Sequence, residues 1–205
     1  MRNPRVHKRF LFVGNQLCLD FVNTQMIVRG QETDLLHEVS DLTDWLVQAR
    51  VLSAQAIEQG LRRSDEADRR RLLRDAKDFR GTLRTMAERM AAGKRVLPET
   101  VDTINRLLSL RPGYSQVMRV EGRFERRFHA QADNAGSLLT PLAEAAGELL
   151  CSGDPALVKK CRNNACILYF YDRTKNHARQ WCSMGLCGNR MKVAAHYQRT
   201  RSSNS

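Results

Sequence analysis

Residues 161–187 read CRNNACILYFYDRTKNHARQWCSMGLC, and their cysteines decide how the C-terminal quarter of the chain folds. Cys161 and Cys166 form a C-x4-C pair, Cys182 and Cys187 form a second, and fifteen residues lie between the pairs. Each pair offers two thiolates from one tight turn, and the loop between lets both converge on one tetrahedral ion. One Zn²⁺ is expected, bound by Cys161, Cys166, Cys182 and Cys187. Four thiolates leave no position for a water, so the metal is expected to be structural rather than catalytic. Cys18 and Cys151 lie outside the cluster and are expected to be buried free thiols.

Charge is unevenly placed around this module. The whole chain of 205 residues carries a formal +12. Residues 158–205 hold ten Lys/Arg and one acid, Asp172, for a formal +9. Residues 1–10 hold four basic residues and no acid, and residues 11–157 hold twenty basic against twenty-one acidic. A near-neutral body thus sits between two basic ends, and the basic module is expected to attract a polyanion. The early apolar run 10–13 is far too short for an export signal or a membrane span. No membrane partner is expected, and the expected location is cytoplasmic, where clustered cysteines serve as metal ligands rather than disulfides.

Outward from the module, the pattern predicts an α+β chain in two units. Residues 1–156 form a helix-dominated domain with short β-hairpins, and residues 157–205 form the zinc-stapled module of a strand pair plus one helix. Residues 10–24 read either as a strand pair or as a strand leading into a helix. Ser40, Ser53 and Ser64 are placed to cap helices over 41–50, 54–62 and 65–92. In the third, Leu72, Ala76, Phe79, Leu83, Met86 and Met90 repeat in steps of four and three. That stripe fits a helix lying on its own core, or a dimeric coiled-coil seam, which leaves a homodimer open. Gly93 stops this helix and Pro98 starts the next, to about Leu110. Residues 114–130 read as a hairpin turning at Glu121-Gly122, with Val117, Val120, Phe124 and Phe128 as its apolar residues. A helix over about 137–151 completes the body, which is expected to fold without the module.

Within the module, Leu157-Val158 and 167–171 predict the two strands. Asp172 is placed for an Asx turn. Trp181 has two readings, a ring packed over the metal cluster or a base-stacking platform. Asn189 is expected to cap a helix over 190–199, whose Lys192, His196 and Arg199 share one face.

Three stretches here resemble the CGNR zinc-finger family of bacteria. They are Asp172-x-Thr174-Lys175-Asn176, Arg179-x-Trp181-Cys182-Ser183-Met184, and Cys187-Gly188-Asn189-Arg190-Met191-Lys192. The family pattern usually carries Arg where this chain has Lys175 and Gln180. Leu19-Asp20-Phe21-Val22-Asn23-Thr24 resembles the start of ABATE, a stress-induced transcriptional regulator domain that usually precedes the finger. The resemblance implies a zinc-dependent, DNA-binding transcriptional regulator.

Double-stranded DNA is accordingly the expected partner. Lys175, Arg179, Arg190, Lys192, His196 and Arg199 are the candidate contacts, with Arg190 the best placed for a base edge. The body is expected to sense a small-molecule effector or mediate association. Asp20, Asn23 and Thr24 form a polar cluster that could line its pocket or, alternatively, cap a helix. An RNA-binding module stacking bases on Tyr169, Tyr171 and Trp181 is a second reading. An enzyme with a purely structural zinc is a third, set back by the lack of a nucleophile–base pair or phosphate loop. Oxidation of the thiolates would release the metal, so a redox switch is a variant of the first.

Overall fold

The computed structural model describes residues 10–110, 113–120, 123–130 and 134–194. Helix α4 (Glu66–Ala91) is the spine against which the helices at 17–22, 39–48 and 98–108 and the strand at 158–160 pack. Asp65, not Ser64, caps it, and the reason is a reciprocal bond. The Asp65 carboxylate accepts the Asp68 N–H at 2.8 Å, while the Asp68 carboxylate accepts the Asp65 N–H at 3.4 Å. Both acids also sit at the positive end of the helix dipole. Leu72, Ala76, Phe79, Leu83, Met86 and Met90 are all buried in the chain's own core. The stripe is therefore spent internally and is not a free coiled-coil seam. Gly93, at φ +66°, takes the left-handed backbone that ends the helix.

Helix α1 (Leu17–Val22) settles the ambiguity of 10–24 in favour of a helix. It packs against α4 and α6 (Thr140–Ser152), and Cys18, Leu19, Phe21 and Val22 are fully buried. Burial pushes the Cys18 thiol up to about 12, so it stays protonated. Cys151, expected buried, is exposed near the end of α6. Helices α2 (Val39–Gln48), α3 (Ala54–Leu61) and α5 (Pro98–Leu108) complete the body. Ser53 caps α3 as expected, accepting the Ala56 N–H at 3.1 Å. Glu38 and Asp41 cap α2 in place of Ser40, because again a carboxylate pair satisfies both ends of the box. After α6, Gly153 has no room for a side chain. A Cβ there would lie 2.4 Å from the Leu149 carbonyl oxygen.

Among the described residues, three two-stranded antiparallel sheets accompany the helices. Strands β1 (Gln25–Val28) and β2 (Gln31–Asp34) turn through Arg29 and Gly30, both at positive φ. Arg80 of α4 pins the hairpin with a bidentate bond to the Asp34 carboxylate, 2.7 and 2.6 Å, and donates to the Thr24 hydroxyl at 2.8 Å. Burial works against the Asp34 charge, but Arg80 and the Leu36 N–H hold its carboxyl below the usual range. Strands β3 (Gly113–Val120) and β4 (Arg123–Ala130) form the hairpin expected over 114–130. Its turn at 121–122 lies outside the described residues. Val117 and Phe124 project into solvent rather than into a core, at 66% and 76% exposure. Strands β5 (Val158–Lys160) and β6 (Tyr169–Tyr171) belong to the zinc module. Among the described residues, no helix is long and apolar enough to cross a membrane.

The module does not stand apart from the body. Along β6 the side chains alternate between faces. Tyr169 joins Val158 in the body's core, while Phe170 joins the four cysteines in a second cluster. Leu11, Val13 and Met26 of the body pack against that second cluster. The two cores interlock across the expected boundary at 156/157.

Candidate metal centre

The four expected cysteines meet at one point. Their sulfurs all lie within 4.8 Å of one another, and all four residues are buried. Zn–S bonds of about 2.3 Å in a tetrahedron put sulfurs about 3.8 Å apart. The Cys166–Cys182 separation of 3.9 Å is already close to that edge. Local backbone geometry makes this possible. The Cys166 N–H closes a turn on the Asn163 carbonyl at 2.9 Å, and the Cys161 N–H bonds Leu168 across the strand pair, also at 2.9 Å. On the other side, Ser183 caps a turn over Met184–Gly188, which carries Cys187 and runs into the helix at 189–194. Asn189 is thus inside the helix, and Ser183 is its cap.

Polar groups around the sulfurs favour thiolates. The Cys182 N–H points at Cys161 Sγ at 3.4 Å, and the Asn163 amide donates to Cys187 Sγ at 3.3 Å. The Asn163 oxygen is fixed in turn by the Ala165 N–H. Such outer bonds orient metal ligands and tune their charge. Without a cation, Cys161, Cys166 and Cys182 oppose one another. The hydrogen bond shared with Cys182 holds Cys166 down to about 5, and the same bond pushes Cys182 well above the ordinary thiol range. Burial pushes Cys161 up to about 11. A divalent cation at the centre removes this conflict, and the all-sulfur donor set selects zinc over magnesium or calcium. The site holds one structural zinc.

Comparison with known families agrees with this geometry. A model for ABATE, described as "Putative stress-induced transcription regulator", matches residues 15–153, more than half of the chain. The chain belongs to the ABATE family. A CGNR zinc-finger model matches residues 158–200, behind the ABATE region in the expected order. No curated protein matches the chain.

Much of the CGNR signature builds the finger's shape. Asp172 is fully buried and is the hub of the loop that follows β6. One carboxylate oxygen accepts the Thr174 N–H at 3.0 Å and its hydroxyl at 2.6 Å. The other accepts Lys159 Nζ at 2.7 Å and the Arg179 N–H at 3.0 Å. Burial opposes its charge, yet these donors hold the carboxyl well below the ordinary range. Gly188 lets the Met184 side chain lie flat, since a Cβ would stand 2.5 Å from Met184 Sδ and 3.1 Å from Trp181 Cδ1. Trp181 is half-buried and packs against the cysteine cluster.

Arg179 is half-buried and tied down by the backbone around it. Its guanidinium lies 4.1 Å above the Phe170 ring and donates to the carbonyls of Val13 at 2.7 Å, Trp181 at 3.0 Å and Cys182. Lys175, Arg190 and Lys192 are exposed. His196 and Arg199 lie outside the described residues. Lys160 and Arg162, beside Cys161, are exposed cations that the sequence reading passed over, although their place next to a ligand marked them.

Asp20, Asn23 and Thr24 come together, but as a seam between ABATE body and CGNR finger rather than as the wall of a cavity. Asn23 is 1% exposed and clamps β6 through both backbone polar groups of one residue, Tyr169. Its amide donates to the Tyr169 carbonyl at 2.8 Å and accepts the Tyr169 N–H at 2.9 Å. Thr24 is held by Arg80 and itself donates to the Phe21 carbonyl. Asp20 accepts the Gly14 N–H at 2.7 Å, and Gly14 in turn accepts the Tyr171 N–H at 2.7 Å. Burial pushes the Asp20 carboxyl up to about 6 despite those N–H groups and the nearby Arg179. Arg84 of α4 adds bonds to the Val22 and Ile167 carbonyls, one on each side of the seam.

Proposed function

We propose that this protein is a transcription regulator whose CGNR finger binds duplex DNA. One observation carries the reading. The only acid in residues 158–205, Asp172, is buried and ion-paired to Lys159, so the described surface of the finger presents cations without an exposed carboxylate. Lys160, Arg162, Lys175, Arg190 and Lys192 supply phosphate contacts, and Arg190, just past the turn that holds Cys187, is the candidate for a base edge. Arg179 serves by positioning, since its Nε and one terminal nitrogen donate to backbone carbonyls and its guanidinium lies over the Phe170 ring. The ABATE body provides effector sensing or self-association through a surface other than the buried stripe of α4. Burial of Tyr169 counts against the RNA reading, which needs that ring free.

A salt titration on duplex DNA tests this. With about four to six phosphates neutralised, log affinity falls against log salt with a slope of roughly −4 to −5. Lys192→Ala lowers affinity on every sequence and flattens the slope by about one unit. Arg190→Ala costs roughly 1–3 kcal/mol on a preferred site and little on random DNA. Absence of duplex binding by the zinc-loaded chain would sink the reading.

A further inference from the structure

Beside the metal, and separate from it, the finger carries an open groove with a cavity volume of ≈ 590 Å³. That size falls within the range of small-ligand sites, roughly 300–1,000 Å³. Trp181, Met184 and Ala178 form its apolar surface, and Lys175, Asn176 and Gln180 stand around it. Met184 is 47% exposed and lies beside the half-buried Trp181 indole. The groove has no carboxylate in its lining. Among the described residues, the amides of Asn176 and Gln180 have no hydrogen-bond partner and Lys175 has no ion pair. Arg179 also lines the groove, but its bonds to Val13 and Trp181 fix it as part of a rigid floor.

We propose that this groove takes one unpaired nucleobase, so that the finger prefers DNA in which a base stands outside the helix. The inference rests on the DNA-binding reading above. The apolar side chains of Trp181 and Met184 along the groove match the face of a base, which any sequence offers. Two free side-chain amides match the donor and acceptor edge that a base exposes once its partner is gone. Lys175 at the rim and the acid-free surface around it match the phosphates on either side. An aromatic peptide side chain would fill the apolar wall but would leave the amides and the cation unused.

The chain offers its own probe. It contains two tryptophans, and Trp45 is completely buried in the body, so quenching by a bound base reports on Trp181. Full-length, zinc-loaded protein is titrated with a short duplex carrying one bulged thymine and with the same duplex fully paired. The bulged duplex is expected to quench the indole and to bind roughly 5- to 100-fold more tightly, the span that one base–aromatic stack supports. Met184→Ala, which removes a wall without touching a metal ligand, is expected to shrink that preference, as is Gln180→Ala. Zinc content is measured in each variant to confirm that the finger is intact. Equal affinity for both duplexes with no quenching overturns the groove proposal and leaves DNA binding standing. Binding of neither duplex overturns both.

Discussion

Asn23→Ala is the sharpest test of how the finger is attached. The substitution removes one amide that satisfies two backbone groups of Tyr169, at 2.8 and 2.9 Å, in a place where Asn23 is 1% and Tyr169 4% exposed. Leaving a buried donor or acceptor without a partner costs about 1–3 kcal/mol each, so the pair sums to about 2–6 kcal/mol. Against a total stability of about 5–15 kcal/mol this is a large loss. With a urea m-value of about 2 kcal/mol/M, the unfolding midpoint of the zinc-loaded chain drops by roughly 1–3 M. A chelator should also strip zinc faster, because β6 carries Phe170 into the cysteine cluster. Asn23→Asp does not rescue, since a carboxylate oxygen then faces the Tyr169 carbonyl. A midpoint shift below about 0.3 M, about 0.6 kcal/mol at that m-value, with unchanged zinc retention would refute the clamp.

Cys182→Ala leaves three thiolates and abolishes or severely weakens metal retention; full zinc by elemental analysis in that variant would remove the four-ligand assignment. Asp20 tests the sign of a buried charge. Its folded pKa of about 6 lies above the ordinary value of 3.8, so its contribution to stability is complete below pH 3.8 and is lost as pH rises through about 6. Asp20→Asn keeps an acceptor for the Gly14 N–H, so its stability relative to wild type improves by up to ~3 kcal/mol between pH 4 and pH 7, read by urea melts across that range. Residues 1–156 alone lack Val158 and Tyr169 from the body's core. That fragment is expected to melt well below the full chain or without cooperativity, and a thermal transition matching the full chain's would show instead that the body is self-sufficient.

The metal site was legible in the sequence because its chemistry is local. Two C-x4-C turns each fix a pair of sulfurs, and a tetrahedral ion needs two such pairs and little else. The same holds for the helix body. The step-of-four-and-three stripe of α4, the cap at Ser53 and the proline opening α5 report on contacts within a few residues. Caps went astray where a carboxylate competed with a nearby serine, at Glu38 and at Asp65, and at Asn189, where Ser183 caps the turn that leads into the helix. The β1–β2 hairpin gave no signal, because its turn is Arg29-Gly30 and its strands are half polar.

The roles of the polar residues came from contacts between distant segments. Asn23 meets Tyr169 across 146 positions of sequence, and Arg179 meets Val13 across 166. No periodicity encodes which distant carbonyl a buried amide or guanidinium will satisfy. Asp20, Asn23 and Thr24 read in sequence as a pocket wall or a helix cap, and Arg179 as a DNA contact, because isolated polar residues in a motif look functional. In three dimensions they are the bonds that a buried backbone requires where two chain segments with incomplete cores close over each other. The sequence determined the ion and its ligands, and packing determined that the finger and the body share their interior.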